Sequence, residues 1–156
     1  MRGGDVDYML ADSIGYQLRL AGVLARRHYV LRLAEAGLAG ISPEQITLLS
    51  FLDREDGWAL GQLAAANGQD KAAVTRMAQA MEAAGWIRID ADPDHGSRKR
   101  VRITAAGRRL HARVEAVTAR KEREFDRQLT RGERRTLLAL IARLRDGLSQ
   151  MQAAPP

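Results

Sequence analysis

Apolar positions along the chain change their period several times, and each change marks an element. Between residues 13 and 36 the series Ile14, Leu18, Ala21, Ala25, His28 recurs at helical spacing, and Leu20, Leu24 and Leu31 widen the stripe into two apolar faces. A helix with two such faces needs two partners. Gly37 and Gly40 break the pattern. Ser42, Pro43, Glu44 and Gln45 then combine a capping hydroxyl, a proline at the first helical position and a glutamine able to reach back to the cap. Ile46, Leu49 and Leu52 carry the buried stripe of this second helix to Asp53. Trp58 to Leu60 reads as a short strand, and residues 61–67 read as a short helix closed by Gly68.

The next stretch, 68–104, is the most informative. Asp70 is placed to cap a helix in which Val74, Met77 and Met81 form one buried stripe, while Ala72, Thr75, Arg76, Gln79 and Ala83 point away from it. Gly85 ends that helix. The period then drops to two: Ile87 and Ile89 alternate with Arg88 and Asp90, and Val101 and Ile103 alternate with Arg100 and Arg102. The intervening Asp92, Pro93, Asp94, His95, Gly96 and Ser97 favour a turn. Two helices followed by a basic hairpin describe a winged helix-turn-helix, with a recognition helix at about 70–84 and a wing at about 86–104.

Thr104 then caps a long helix with apolar positions Leu110, Val114, Val117, Phe125 and Leu129. Thr130 and Glu133 open a last helix carrying Leu137, Leu138, Ile141, Leu144 and Leu148. The expected fold is therefore mainly α with a small β-hairpin wing. A DNA-binding lobe at 42–104 is flanked by an N-terminal dimerisation helix at 13–40 and C-terminal dimerisation helices at 105–150. Ile14, Leu18, Leu137, Ile141, Leu144 and Leu148 are the expected dimer interface, since so much apolar surface on outer helices needs a partner.

Composition narrows the function classes. A net charge of +6 over 156 residues suits a polyanionic partner, and the excess is mostly arginine, which suits phosphate and guanine. Aromatic residues make up 4% of the chain, too few for a base-stacking platform for single strands. The absence of cysteine removes disulfides and thiolate metal ligands and is compatible with a reducing cytoplasm. With no apolar run near about 18 residues and no signal-peptide layout, the expectation is a soluble cytoplasmic protein without contact to a membrane.

Catalytic chemistry finds little support. The three histidines are dispersed, and Ser13, Ser42, Ser50, Ser97 and Ser149 lack a nucleophile-elbow context. Asp90, Asp92 and Asp94 alternate as in a calcium loop, but the other ligands are missing and the three read as turn formers. No enzyme activity, cofactor or metal is expected. Arg76 and Gln79 are either solvated helix residues or base contacts, and the flanking helix and wing favour contact with DNA. The basic residues from Arg98 to Arg102 can guard a strand edge against aggregation and contact phosphate from the same face.

The segments GISPEQITLLSFL, LGQLAAANG, DKAAVTRMAQAMEAAGWIRI and the hairpin ending in VRIT before Gly107 resemble the MarR family of bacterial transcriptional regulators. The resemblance covers nearly the whole chain. It implies a homodimer on double-stranded DNA with a near-palindromic operator, the recognition helix in the major groove and the wing tip at the minor groove. By position, Lys71, Ala72, Thr75, Arg76 and Gln79 face DNA, and Arg98, Lys99 and Arg100 belong to the wing. The family often places an aspartate and arginines at the tip, where this chain has His95, Gly96 and Ser97, so Arg98 takes the minor-groove role. The family binds ligands between the dimer helices and the DNA lobe, which brings in His28, with Arg32, Thr47 and Phe51 as possible neighbours. A lone histidine there is more often a packed residue, and Trp58 reads as core. The expected function is a sequence-specific regulator, a repressor relieved by a small aromatic or anionic ligand. The alternative is a winged-helix protein-interaction module without DNA binding.

Overall fold

The computed structural model describes residues 10–92 and 99–153. Its elements run α1 (Ile14–Glu35), α2 (Pro43–Arg54), β1 (Trp58–Ala59), α3 (Leu60–Asn67), α4 (Lys71–Ala83), β2 (Ile87–Ala91), β3 (Lys99–Ile103), α5 (Ala105–Asp126) and α6 (Arg131–Ala153). The helix starts follow local chemistry. The Ser13 hydroxyl accepts from the Tyr16 amide at 3.3 Å, and Asp70 Oδ1 accepts from the Ala73 amide at 2.8 Å. Ser42 and Gln45 close a complete capping box, with the Ser42 amide donating to Gln45 Oε1 at 2.9 Å. Gly68 and Gly85 close α3 and α4 at φ +63° and +74°, which a side chain would strain.

The three strands form an antiparallel sheet in the order β1-β3-β2. Its register sets Trp58 and Ile89 on either side of Val101, and Ile87 opposite Ile103. Because β3 is central, Val101 is fully buried. β1 ends at Ala59, one residue earlier than the sequence pattern predicts, and Leu60 instead opens α3.

Leu48, Leu49 and Leu52 of α2, Leu63 of α3 and Val74, Ala78 and Met81 of α4 form the centre of the core, all at 0% exposure. Each large side chain buried in this way contributes roughly 1.5–3 kcal/mol. The flanking helices also enter this core. α1 sends in Tyr29 and Leu33, and α5 sends in His111, Val114 and Val117. The Tyr29 and Thr118 hydroxyls hydrogen-bond at 2.5 Å, joining α1 to α5. The described residues up to Thr118 thus form one compact unit and those from Ala119 a second.

Within the chain α1 packs through Tyr29 and Leu33, whereas Ile14 and Leu18 are 66% and 41% exposed. On α6, Leu137, Ile141 and Leu148 are exposed and Leu144 is half-buried. Among the described residues, all the exposed large apolar side chains lie on these two helices, six on each.

Candidate nucleic-acid interface

Only groups that the core leaves unspent can read a nucleic acid. α4 turns Val74, Ala78 and Met81 inward, so helical geometry leaves Lys71, Ala72, Arg76 and Gln79 exposed on its other side. Thr75 lies between the faces, half-buried, and its hydroxyl donates to the Lys71 carbonyl at 2.7 Å. That bond uses its only proton, so Thr75 can offer a nucleic acid an acceptor or a methyl group. No carboxylate among the described residues pairs with Arg76. Its planar guanidinium is therefore available for a guanine edge or a phosphate.

The hairpin differs in this respect. Arg88 pairs with Asp90 at 2.8 Å, Arg102 with Asp56 at 3.2 Å, and Arg100 with Asp92 at 3.0 Å. Asp92 is 5% exposed, so the Arg100 pair is sheltered from water on one side. A carboxylate that deep needs its cation. Asp90 and Asp92, read from sequence as turn formers, act here as counterions to wing arginines. Arg100 is half-buried and also donates to the Gly57 carbonyl at 3.4 Å. Lys99 remains exposed. Arg98, with His95, Gly96 and Ser97, lies outside the described residues.

The residues considered for a small ligand have other local partners. Arg32 pairs with Glu35 at 2.6 Å, and the exposed Thr47 hydroxyl donates to the Pro43 carbonyl at 3.0 Å. The Phe51 ring packs on Trp58 with centroids 5.6 Å apart, and His28 is half-buried. Two open clefts flank the sheet, one of about 590 Å³ beside Lys71 and Lys99 and one of about 710 Å³ beside Arg88 and Arg102. None of the four residues lines either.

Sequence reasoning missed a polar cluster inside the fold. His111 is 7% exposed, with Nε2 3.0 Å from Ser50 Oγ and Nδ1 3.5 Å from Asp53 Oδ2. Asp53 Oδ1 also accepts from Arg108 at 2.7 Å. Serine, histidine and aspartate in a row invite comparison with a hydrolytic triad. The Ser50 hydroxyl, however, donates to the Ile46 carbonyl at 3.0 Å within its own helix, so its proton is directed away from the imidazole. The cluster ties α2 to α5. Its signal in the sequence was His111, at helical spacing between Gly107 and Val114.

Among the described residues no group of three or more His, Asp or Glu could hold a metal ion, and no helix is long and apolar enough to cross a membrane. Comparison with known proteins agrees with the geometry. Residues 39–96 match the family model described as MarR family. A protein of Pseudomonas aeruginosa described as a probable transcriptional regulator is 30% identical, covers 86% of this chain and 98% of its own, and superposes with a TM-score of 0.75. The PcaV transcriptional regulator of Streptomyces coelicolor, solved in complex with its natural ligand, is 26% identical over 88% of this chain and 94% of its own, with a TM-score of 0.76. The transcriptional repressor CouR, bound to a 23-mer DNA duplex, shares the fold at a TM-score of 0.80, with 24% identity over 86% of this chain and 94% of its own.

Proposed function

This chain belongs to the MarR family of DNA-binding transcriptional regulators, and on that footing we propose that it is a homodimeric repressor of a near-palindromic operator, relieved by a small aromatic or anionic ligand. The observation that carries this reading is the outer face of α4, where Lys71, Arg76 and Gln79 stand exposed beside a basic hairpin. In the proposed complex α4 enters the major groove, Arg76 and Gln79 meet base edges, and the wing follows the adjacent minor groove. Arg98 is the proposed minor-groove residue.

Dimerisation is supported by the unburied apolar faces of α1 and α6, because patches of this kind mark association. A twofold pair of α4 helices would meet successive major grooves about 34 Å apart. Ligand control requires differential affinity. The effector must favour the dimer form whose α4 helices are badly spaced for DNA, as linkage demands. The complex of PcaV with its natural ligand supports a small-molecule effector here, with His28, Arg32, Thr47 and Phe51 as the proposed contacts.

The test is selection of bound duplexes from fragmented genomic DNA, followed by mobility shift across a salt series. Wild type is expected to recover a fragment containing an inverted repeat and to lose affinity steeply with salt. Arg76→Ala is expected to lower specific affinity by about tenfold or more while leaving the helix content unchanged. Failure to retain any duplex, with protein capture in its place, would support a protein-interaction module and end the regulatory reading.

A further inference from the structure

Strand β1 is two residues long and pairs Trp58 with Val101 and Ala59 with Arg100. Continued by two more residues, that register would set Asp56 opposite Ile103. The chain does not continue it, because Gly57 takes φ +82° and turns out of the extended conformation. The Ile103 amide still needs an acceptor, since an unpaired backbone donor on a buried residue is costly. Asp56 Oδ1 supplies one from its side chain at 3.3 Å, and Oδ2 of the same carboxylate holds the Arg102 guanidinium at 3.2 Å. One side chain thus takes the place of the missing strand residue at the root of the wing. The far edge of the sheet is held in the same manner, by the Ile89 amide of β2 donating to Glu82 of α4 at 2.7 Å. A two-stranded hairpin is only marginally stable by itself, so its attachments to the lobe at both edges decide where it points.

We propose that Asp56 is a positioning residue for DNA binding, which aims the wing by holding the Ile103 amide and touches no DNA itself. The inference rests on the proposed function, in which the wing follows the minor groove beside α4. Charge alone gives the opposite sign: a carboxylate beside a basic hairpin repels a polyanion, so its removal should tighten binding. Arg102 also has Asp90 within 3.9 Å as a second carboxylate. The ion pair is therefore shared, and the bond to the backbone is the part of the contact that fixes the strand's direction.

Asparagine and alanine separate the two effects at one position. Both remove the charge, but only asparagine keeps an oxygen that can accept from the Ile103 amide. The Asp56 side chain is 40% exposed, so neither variant leaves a buried cavity. Against a duplex recovered by the wild-type protein, Asp56→Ala is expected to bind at least about fivefold more weakly, the order of one lost hydrogen bond, and Asp56→Asn to stay within about twofold. Without DNA, hydrogen exchange at the Ile103 amide is expected to quicken in Asp56→Ala and to keep its wild-type rate in Asp56→Asn. Asp53→Ala is the control for lost stability: it removes the same charge and the Arg108 and His111 contacts but leaves the wing root intact. It is expected to bind within about twofold of wild type. Because Asp56 acts through the wing, adding Lys99→Gln to Asp56→Ala is expected to cost less than adding it to wild type. Equal binding by the alanine and asparagine variants, unchanged Ile103 exchange in Asp56→Ala, or full additivity with Lys99→Gln overturns the positioning role and leaves the regulator reading standing. Asp53→Ala binding as weakly as Asp56→Ala reduces the effect to general destabilisation and also overturns it. Wild type that binds no duplex overturns the reading beneath it.

Discussion

At the scale of single residues, Gly107 shows how a position can look ordinary and be tightly constrained. It lies in α5, where replacing glycine by alanine ordinarily gains about 0.5–1 kcal/mol. Here a Cβ would fall 2.0 Å from the Trp86 carbonyl oxygen and 2.9 Å from the Ile103 side chain. The same carbonyl accepts the Thr104 amide at 3.0 Å, and the Thr104 hydroxyl accepts the Gly107 amide at 3.0 Å, so backbone cannot move aside freely. Gly107→Ala is expected to destabilise the protein by about 2–4 kcal/mol, the opposite sign to the helix rule, measured as a fall in the urea midpoint. A neutral or stabilising result would contradict the packing at this junction. Sequence could mark Gly107 as part of a motif, but the reason for it lies in a carbonyl twenty-one residues away. The hairpin arginines make the same point: their alternation was legible, and their carboxylate partners Asp56, Asp90 and Asp92 were not.

Elements, by contrast, were read well wherever local chemistry decides them. The caps read from sequence at Ser42, Asp70 and Thr130 all engage the first turn of their helices. Short-range hydrogen bonds of this kind depend on spacing alone. At the start of α6 the Thr130 amide and hydroxyl both donate to Glu133 Oε2 at 2.7 Å. The backbone donor first, then the hydroxyl, holds the Glu133 carboxyl below its usual 4.5. A lowered folded value stabilises the folded state above the unfolded value, and the contribution is lost as pH falls through the folded one. The urea midpoint should therefore drop as pH falls below about 4.5. Glu133→Gln, which keeps the capping spacing without the charge, should drop less. Parallel curves for the two proteins would remove Glu133 from the pH response. Which face of α1 is buried within the chain was not legible, because its apolar residues surround it: periodicity cannot choose among several apolar sides, and packing chose the one with Tyr29 and Leu33.

For the whole molecule, the exposed apolar faces of α1 and α6 are the feature that a single chain leaves unexplained. Ile141, 42% exposed, can accept a charge within one chain at little cost, whereas a dimer would have to bury it. Ile141→Asp is therefore expected to halve the sedimenting mass while leaving the helix content unchanged, and an intact dimer would remove Ile141 from the interface. The order of elements, their caps, the outward face of α4 and the family were all determined by the amino-acid sequence, because each depends on residue type at short spacing. Tertiary structure decided that His111, Tyr29 and Leu33 belong to the core, that the wing arginines are paired with carboxylates, and that Lys71, Lys99 and the start of α3 surround one cleft. Those relations join residues tens of positions apart, and no local periodicity carries the distance between them.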